Sequence, residues 1–569
     1  MMKQFPTIYL LAGFLLTLAA CRKDYEAIPL EKVTIEYVFD KDDSLGTYAN
    51  KFLNSVYSKL PGGYNRVGGD LLDAASDDAI SGFTGTTSVS QLATGAYTSF
   101  ATIPEETPWS NAYAAIRAAS IFVSNINISP VKDKLANGSS VRLAWKAEAR
   151  FIRALFYFEL LKRYGGIPLM GDEVRELGDD VQLPRSSFAD CVRYIVGECD
   201  AIKDSLRPNP IVAPELNSHR ATRGAALALK ARVLLYAASP LFNGGNIESG
   251  NTLTGYTDFN RERWKLAADA ARVLIEEGKF ALLPNSKDIF ITQNNSEIIF
   301  FRQGGNNSDI ESTNGPVGFA QVARGRTNPS QELIDAFPTD AGVPITDPAA
   351  GYNPDDPYAH RDPRLAMSII YNGTRWLNTE IQTYDGGQNR PGGAEPGTKT
   401  GYYMRKFMGN FENATQYSNT PHDWIFLRYT EVLLNFAEAE NEYNGATAQV
   451  YQVLKDLRAR AGIPAGDIGL YGLKADLSQD EMRQVIRNER RIELAFEEHR
   501  FWDIRRWKIA QQVYGNALHG MSIIRNGGEL TFNVVEVFKP VFMAPKMYLY
   551  PIPYDEVVKN DNMRQNPGW

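Results

Sequence analysis

The sequence predicts a mainly α-helical fold, a tetratricopeptide-like scaffold of helix pairs carrying a loop-rich, irregular half with few short strands. Three observations carry this expectation. Amphipathic segments with apolar residues at spacings of three and four recur along the chain, alanine is frequent where such helices would touch, and Gly, Pro, Asn and Asp concentrate in a few long stretches between them. Paired, alanine-rich amphipathic helices are the unit of a tetratricopeptide-like solenoid, although the full repeat signature is absent.

At the start of the chain Lys3 precedes an apolar run from Ile8 that closes on Leu18, Ala19, Ala20 and Cys21. A charged start, an apolar centre and small residues before the cut make an export signal. The run is too short for a bilayer, which needs ~20 residues. A cysteine directly after the small residues resembles a lipobox, so residues 1–20 read as a signal peptide and Cys21 as the acylated first residue of the mature protein. Each buried acyl CH₂ contributes ~0.8 kcal/mol, and several chains together anchor stably. Arg22 follows where an inner-membrane retention signal would have Asp, and Arg22, Lys23 and Asp24 resemble the tags of surface lipoproteins. Residues 21–33 are polar and without period, as a tether is. No later apolar run is long enough to span a membrane.

Residues 34–283 read as an N-terminal helical region and 284–569 as a C-terminal region packed with it as one body. Helices are expected from Pro108 onward, where Trp109, Tyr113 and Ile116 fall at i, i+4 and i+7, and over residues 144–164, 188–206, 222–239 and 262–278. Gly165-Gly166 and Pro240 act as stops. Further helices are expected over 424–443, 446–461 and 480–510, the first two joined by Asn444-Gly445. Residues 297–302 and 368–371 are strand-like. The stretches 62–107, 284–421 and 527–553 read as irregular; their aromatics argue for structured loops, which carry binding sites disproportionately.

A net charge of -7 over 569 residues leaves no basic footprint for nucleic acid. Cys191 and Cys199 lie on one expected helix about 12 Å apart, beyond the ~7 Å that a disulfide bridges, and so are expected to be free thiols. Residues 488–507 interleave charges with Phe496, Phe501, Trp502 and Trp507. A zinc protease would need a histidine where Asp503 stands, so this segment reads as a buried ionic scaffold. There is no G-x-S-x-G elbow, the phosphate-loop lookalike at 250–257 lacks its lysine, and none of the five histidines stands at metal-ligand spacing to another. Pairs such as Asp77-Asp78 and Asp355-Asp356 arise by chance among 67 acidic residues. The expectation is a chain with no catalytic residue, no identified metal ligand and no cofactor, with a structural metal in the Asp-rich loops left open.

The segments ERRIELAFEEHRFWDIRRW (489–507), YPIPYDEVVKNDNMRQNPGW (550–569), AEARFIRALFYFELLKRYGGIPLM (147–170), DPRL (362–365), FLRYTEVLLNFAEAE (426–440) and LRARAGIP (457–464) resemble the SusD/RagB family of Bacteroidetes outer-membrane lipoproteins. They occur in the family's order and span essentially the whole chain. The resemblance implies helix pairs supporting a loop-rich half. It also implies a role: a lid over a TonB-dependent SusC-like barrel transporter that captures a nutrient, most often a glycan, on the cell surface and passes it on, without chemistry. Matching helices transfer no ligand residue, because the family varies at its loops.

Sugar binding requires flat aromatic faces for pyranose CH groups and Asn, Asp, Gln or Arg for hydroxyls. Trp376 and Tyr384 lie in a loop (374–393) beside Asn378, Asp385, Gln388 and Asn389 where no period explains them. Phe83 and Tyr97 follow Asp77 and Asp78 in a Ser/Thr/Gly-rich stretch, and Trp109 sits on a core-like stripe. The candidate ligand residues are therefore Trp376, Tyr384, Phe83, Tyr97, Trp109, Asp78, Asn378 and Gln388. The competing readings are a peptide or other nutrient binder of the same family, a glycosidase with two carboxylates facing across a cleft, and a tetratricopeptide adaptor.

Overall fold

The computed structural model describes residues 34–176, 178–180, 182–210, 219–320, 323–392 and 397–569. The signal peptide (1–20), Cys21 and the tether (21–33) lie outside the described residues.

Helices α1 (Thr47–Tyr57), α2 (Trp109–Asn125), α3 (Val141–Tyr164), α4 (Phe188–Ile202), α5 (Arg223–Ala238) and α6 (Glu262–Glu276) build the first half. α2 packs on α3, α3 on α4, α4 on α5 and α5 on α6, the neighbour-by-neighbour order of a solenoid. Sequence sets their ends. Ser187 and Thr222 cap α4 and α5 by accepting from the amides of Asp190 and Ala225. Gly165, at φ 75°, lets the chain leave α3. Ala225, Ala226, Ala228 and Ala231 of α5 are all buried, which lets α4 and α6 approach closely. The first half continues into the second through α7 (Tyr429–Asn444), which packs on α6, α8 (Ala448–Ala461) and α9 (Gln479–Glu493). The buried hydrophobic cluster runs without interruption from Phe39 to Met563. Cys191 and Cys199 are buried and free, as their spacing predicts.

The strands are few and form only two-stranded antiparallel pairs among the described residues. β1 (Ala79–Ser81) pairs with β3 (Thr327–Pro329), β2 (Ile298–Arg302) with β4 (Trp424–Arg428), and β5 (Leu518–Asn526) with β6 (Glu529–Phe538).

Three expectations are corrected. Residues 424–443 are not one helix: Trp424–Arg428 is β4, whose aromatic and branched residues fit the pleat beside β2, and the helix begins at Tyr429. Residues 480–510 break at 494–498, between α9 and α10 (His499–Arg506). Phe496 and Glu498 sit at φ 65° and 62° because the buried Asp73 carboxylate accepts from both amides, at 3.1 and 3.2 Å. His499 and Asp503 still share a turn of α10, but Glu497 leaves the helix of Glu489 and Glu493. Finally, the stretch 527–553 is not wholly irregular: Gly527 and Gly528 turn a long hairpin between β5 and β6.

The segment 488–507 is the ionic scaffold its composition predicts. Arg491 and Arg500 clamp Asp77 at 3.0 and 2.8 Å, and Arg491 reaches Asp78 at 2.6 Å. Glu489 pairs with Arg364 and Arg458, and Glu497 with Arg428 and Lys406. Arg506 holds both Glu438 and Asp503. These bonds tie α9 and α10 to α7, β4 and the loop before β1.

Candidate functional site

Of the residues proposed from sequence, the structure buries four. Trp376 is fully enclosed: its Nε1 donates to Tyr417 Oη at 3.0 Å, Phe411 packs edge-on at 6.0 Å, and the Arg405 guanidinium lies 5.0 Å from its ring centroid. The expected platform is instead the core of its own loop. Tyr97 is 2 % exposed between Tyr550 and Trp569. Trp109 is buried edge-on against Tyr164. Asp78, buried and bound to Arg491, belongs to the ionic scaffold and has no carboxylate oxygen to lend a sugar at the surface.

Phe83, Tyr384, Gln388 and Asn378 remain at least partly accessible. The loops that carry three of them, Phe83, Tyr384 and Gln388, are joined by a relay of contacts. Gly82, after β1, donates to Arg326 O at 2.5 Å, and a Cβ on Gly82 would fall 2.2 Å from Gly325 O, so only glycine allows this approach. Gly325 lies against the Tyr403 ring, Tyr403 Oη donates to Asn389 O at 2.9 Å, and the Asn389 side chain ties the loop of Gln388 and Tyr384 to Val317 O at 2.5 Å. Asn378 sits on a separate two-residue turn at φ 56°, its amide held by Glu412 O.

Phe83 is the more exposed of the large aromatics of this assembly, at 41 %. The Arg326 guanidinium carbon stands 5.0 Å from its centroid. Arg326 is itself fixed by Asp70 at 2.9 Å and Gly68 O at 2.6 Å. Burial raises Asp70 to about 6 against the pull of Arg326. Lys399 Nζ donates to Phe83 O at 2.7 Å. Tyr384, by contrast, leans on the hairpin: Arg525 donates to its hydroxyl at 2.8 Å and covers its ring at 5.0 Å.

Sequence reasoning missed a cleft of about 410 Å³ that Tyr64, Asn65, Arg302, Gln303, His422 and Trp424 help to line. Its aromatic faces are spent internally. Tyr64 meets Trp424 edge-on at 5.0 Å, and Gly63 lies so close that a Cβ would fall 2.0 Å from the indole. The cleft offers polar groups but no platform. The Gly-Asn-Asp density of 304–309 was its one signal in the sequence.

The scaffold makes stability sensitive to acid. Burial alone would raise Glu438, but Arg506 and Trp507 bring it down to about 2. Glu159 is likewise about 2, with Lys162 and Arg163 overcoming burial. His219 is lowered to about 4 by burial beside Arg220. Depressed carboxylates contribute stability fully above about 4.5 and lose it as pH falls toward 2. His219 adds a loss between about 6.5 and 4, where only the unfolded chain takes the proton. Asp70 opposes them, because its raised value lets the folded chain bind its proton first between 6 and 4. With most terms of one sign, the melting temperature is expected to fall steeply from pH 4.5 to 3. Melts across that range check it, and a flat profile would contradict the scaffold's electrostatics.

Among the described residues no group of His, Cys, Asp and Glu has the arrangement to hold a metal ion. The described residues thus form a helical solenoid that carries long loops and short strand pairs. Two family models match it: the SusD family over residues 296–569, and a SusD-like family described as starch-binding and associating with the outer membrane over residues 47–235. The chain belongs to the SusD family. A SusD-like protein of Formosa agariphila is 27 % identical over 472 residues, 81 % of this chain and 80 % of that one. A SusD-like crystal structure from Bacteroides fragilis superposes with a TM-score of 0.75 at 26 % identity, covering 95 % of this chain and 100 % of that one. A second from the same organism, described as a SusD-like carbohydrate-binding protein, gives 0.71 at 23 % identity, covering 92 % and 99 %. A laminarin-binding SusD-like protein gives 0.63 at 20 %, covering 92 % and 99 %.

Proposed function

We propose that this protein is a glycan-binding lipoprotein of the outer membrane, anchored through Cys21 and facing the cell exterior. It captures an oligosaccharide or polysaccharide and passes it to a SusC-like TonB-dependent barrel transporter. The observation that carries the glycan reading is Phe83: an aromatic ring open to solvent, fixed beside a guanidinium, on loops that a rigid helical scaffold holds in place. One ring stacks on pyranose CH groups while Arg326 and Gln388 reach hydroxyls. The family models and the carbohydrate- and laminarin-binding neighbours support the same ligand class. The proposal includes no bond cleavage, and the pairing of the buried carboxylates near this face, Asp70, Asp77 and Asp78, with arginine supports it.

The test is calorimetry of the protein against a panel of polysaccharides and, in parallel, mixed peptides. Binding to one glycan without release of shorter sugars is expected. Binding to peptides alone would replace the ligand class, and product release would make the protein a glycosidase.

A further inference from the structure

The described chain begins with a patch that the folded core does not cover. Ile35, Tyr37, Leu45 and Tyr48 are 47, 47, 65 and 38 % exposed. Tyr37 and Tyr48 touch, with ring centroids 4.5 Å apart, and Lys51 Nζ stands 5.2 Å from the Tyr48 centroid. Behind them a second row is fully used: Phe39 is buried against Phe52 and Phe122. Folding therefore buries the inner aromatics and leaves the outer ones in contact only with one another and Lys51, open to solvent.

Position gives the partner. Residue 34 stands thirteen positions after Cys21, so the connecting chain reaches at most about 45 Å at ~3.5 Å per residue. An acylated Cys21 holds this patch, before any other part of the fold, within that distance of the bilayer. No described helix is long and apolar enough to cross a membrane, so contact is with the surface. Tyrosine beside aliphatic residues and a lysine is the composition that favours the headgroup boundary, where one end of each side chain is apolar and the other wet.

We propose that Ile35, Tyr37, Leu45 and Tyr48 form a membrane seat that inserts into the interfacial layer of the leaflet holding the lipid anchor. This rests on the anchoring at Cys21 proposed above. Glu36, Asp40, Asp42 and Asp43 flank the patch against Lys41 and Lys51, so the seat does not depend on attraction to anionic lipid and suits neutral headgroups. It fixes the orientation of the body over the membrane, which an acyl tether alone leaves free.

The experiment uses the full acylated protein carrying Leu45→Cys, labelled with an environment-sensitive NBD fluorophore. Cys191 and Cys199 are buried and stay unlabelled. On phosphatidylcholine vesicles the emission is expected to shift to the blue, as a group leaving water for the interfacial layer does, and to keep that shift in high salt, which screens surface charge. A label at Ile468, 71 % exposed outside the patch, should not shift. Hydrogen exchange over residues 34–52 of the unlabelled protein should slow at least fivefold on vesicles. Acylated, vesicle-bound protein with unchanged emission and exchange overturns the seat alone. Intact mass without acyl chains overturns the anchoring reading and the seat with it. A shift that requires a co-purified barrel protein assigns the patch to a protein partner and overturns the lipid assignment.

Discussion

Arg428→Met is expected to cost about 3–5 kcal/mol of stability, the range for removing one member of a buried ion pair. Arg428 is 2 % exposed and serves five acceptor oxygens, the weakest of them Glu493 Oε1 at 3.4 Å. Its Nε and Nη2 form a fork on Glu497 at 2.7 and 2.8 Å, Nη1 meets Glu297 at 2.7 Å, and Nη2 also reaches Glu493 O at 3.0 Å. Burial disfavours its charge, yet Glu497 and Glu297 more than compensate and hold it protonated. Methionine restores most of the volume but leaves these carboxylates buried with one cation fewer. The urea midpoint should drop well below wild type. Arg428→Lys should fall between the two, since an ammonium keeps the charge without the planar fork. A midpoint for Arg428→Met within about 0.5 kcal/mol of wild type, the spread of ordinary surface substitutions, would mean that the network stabilises nothing.

Where sequence reasoning succeeded and failed follows from the range of the interactions involved. The long helices were legible because a 3.6-residue period and local stops such as Gly165 and Thr222 act within a few residues. β4 was not, since Trp-Ile-Phe-Leu is a short apolar run that suits a strand or a buried helix equally. Only pairing with Ile298–Arg302, over a hundred residues earlier, decides it. The break at 494–498 depends on Asp73, more than four hundred positions away. The hairpin of β5 and β6 carried a visible Gly527-Gly528 turn signal, obscured by reading the stretch after it for glycine and proline alone. At the candidate site the logic is the same. Trp376 had no local period because its partners, Phe411 and Tyr417, arrive from another loop, so lack of pattern marked a small core rather than a platform. Phe83 was legible only as an aromatic in a polar loop. Its fixed frame comes from Arg326 and Lys399, both hundreds of residues later.

Phe83→Ala is expected to weaken glycan affinity more than tenfold while leaving the melting temperature nearly unchanged. Phe83 is 41 % exposed, so truncation opens no enclosed cavity, and in a chain of this size the burial lost shifts the melting temperature by only a few degrees. Loss of a central aromatic contact, by contrast, often costs a complex about 2 kcal/mol or more, and each ~1.4 kcal/mol is tenfold. The neighbouring substitutions separate platform from packing. Tyr384→Ala should weaken binding less, because Arg525 already occupies its ring and hydroxyl. Trp376→Ala should do the reverse of Phe83→Ala: enclosed among Phe411, Tyr417 and Arg405, its loss costs about 3–5 kcal/mol through the cavity left behind and lowers the melting temperature first. Phe83→Trp keeps a flat face beside Arg326 and should keep most of the affinity. Calorimetry with the glycan selected from the panel, alongside melts of all four variants, reads both axes. Full affinity in Phe83→Ala would move the site from this loop face to the polar cleft, with Asn65, Arg302 and Gln303 as the residues to replace next.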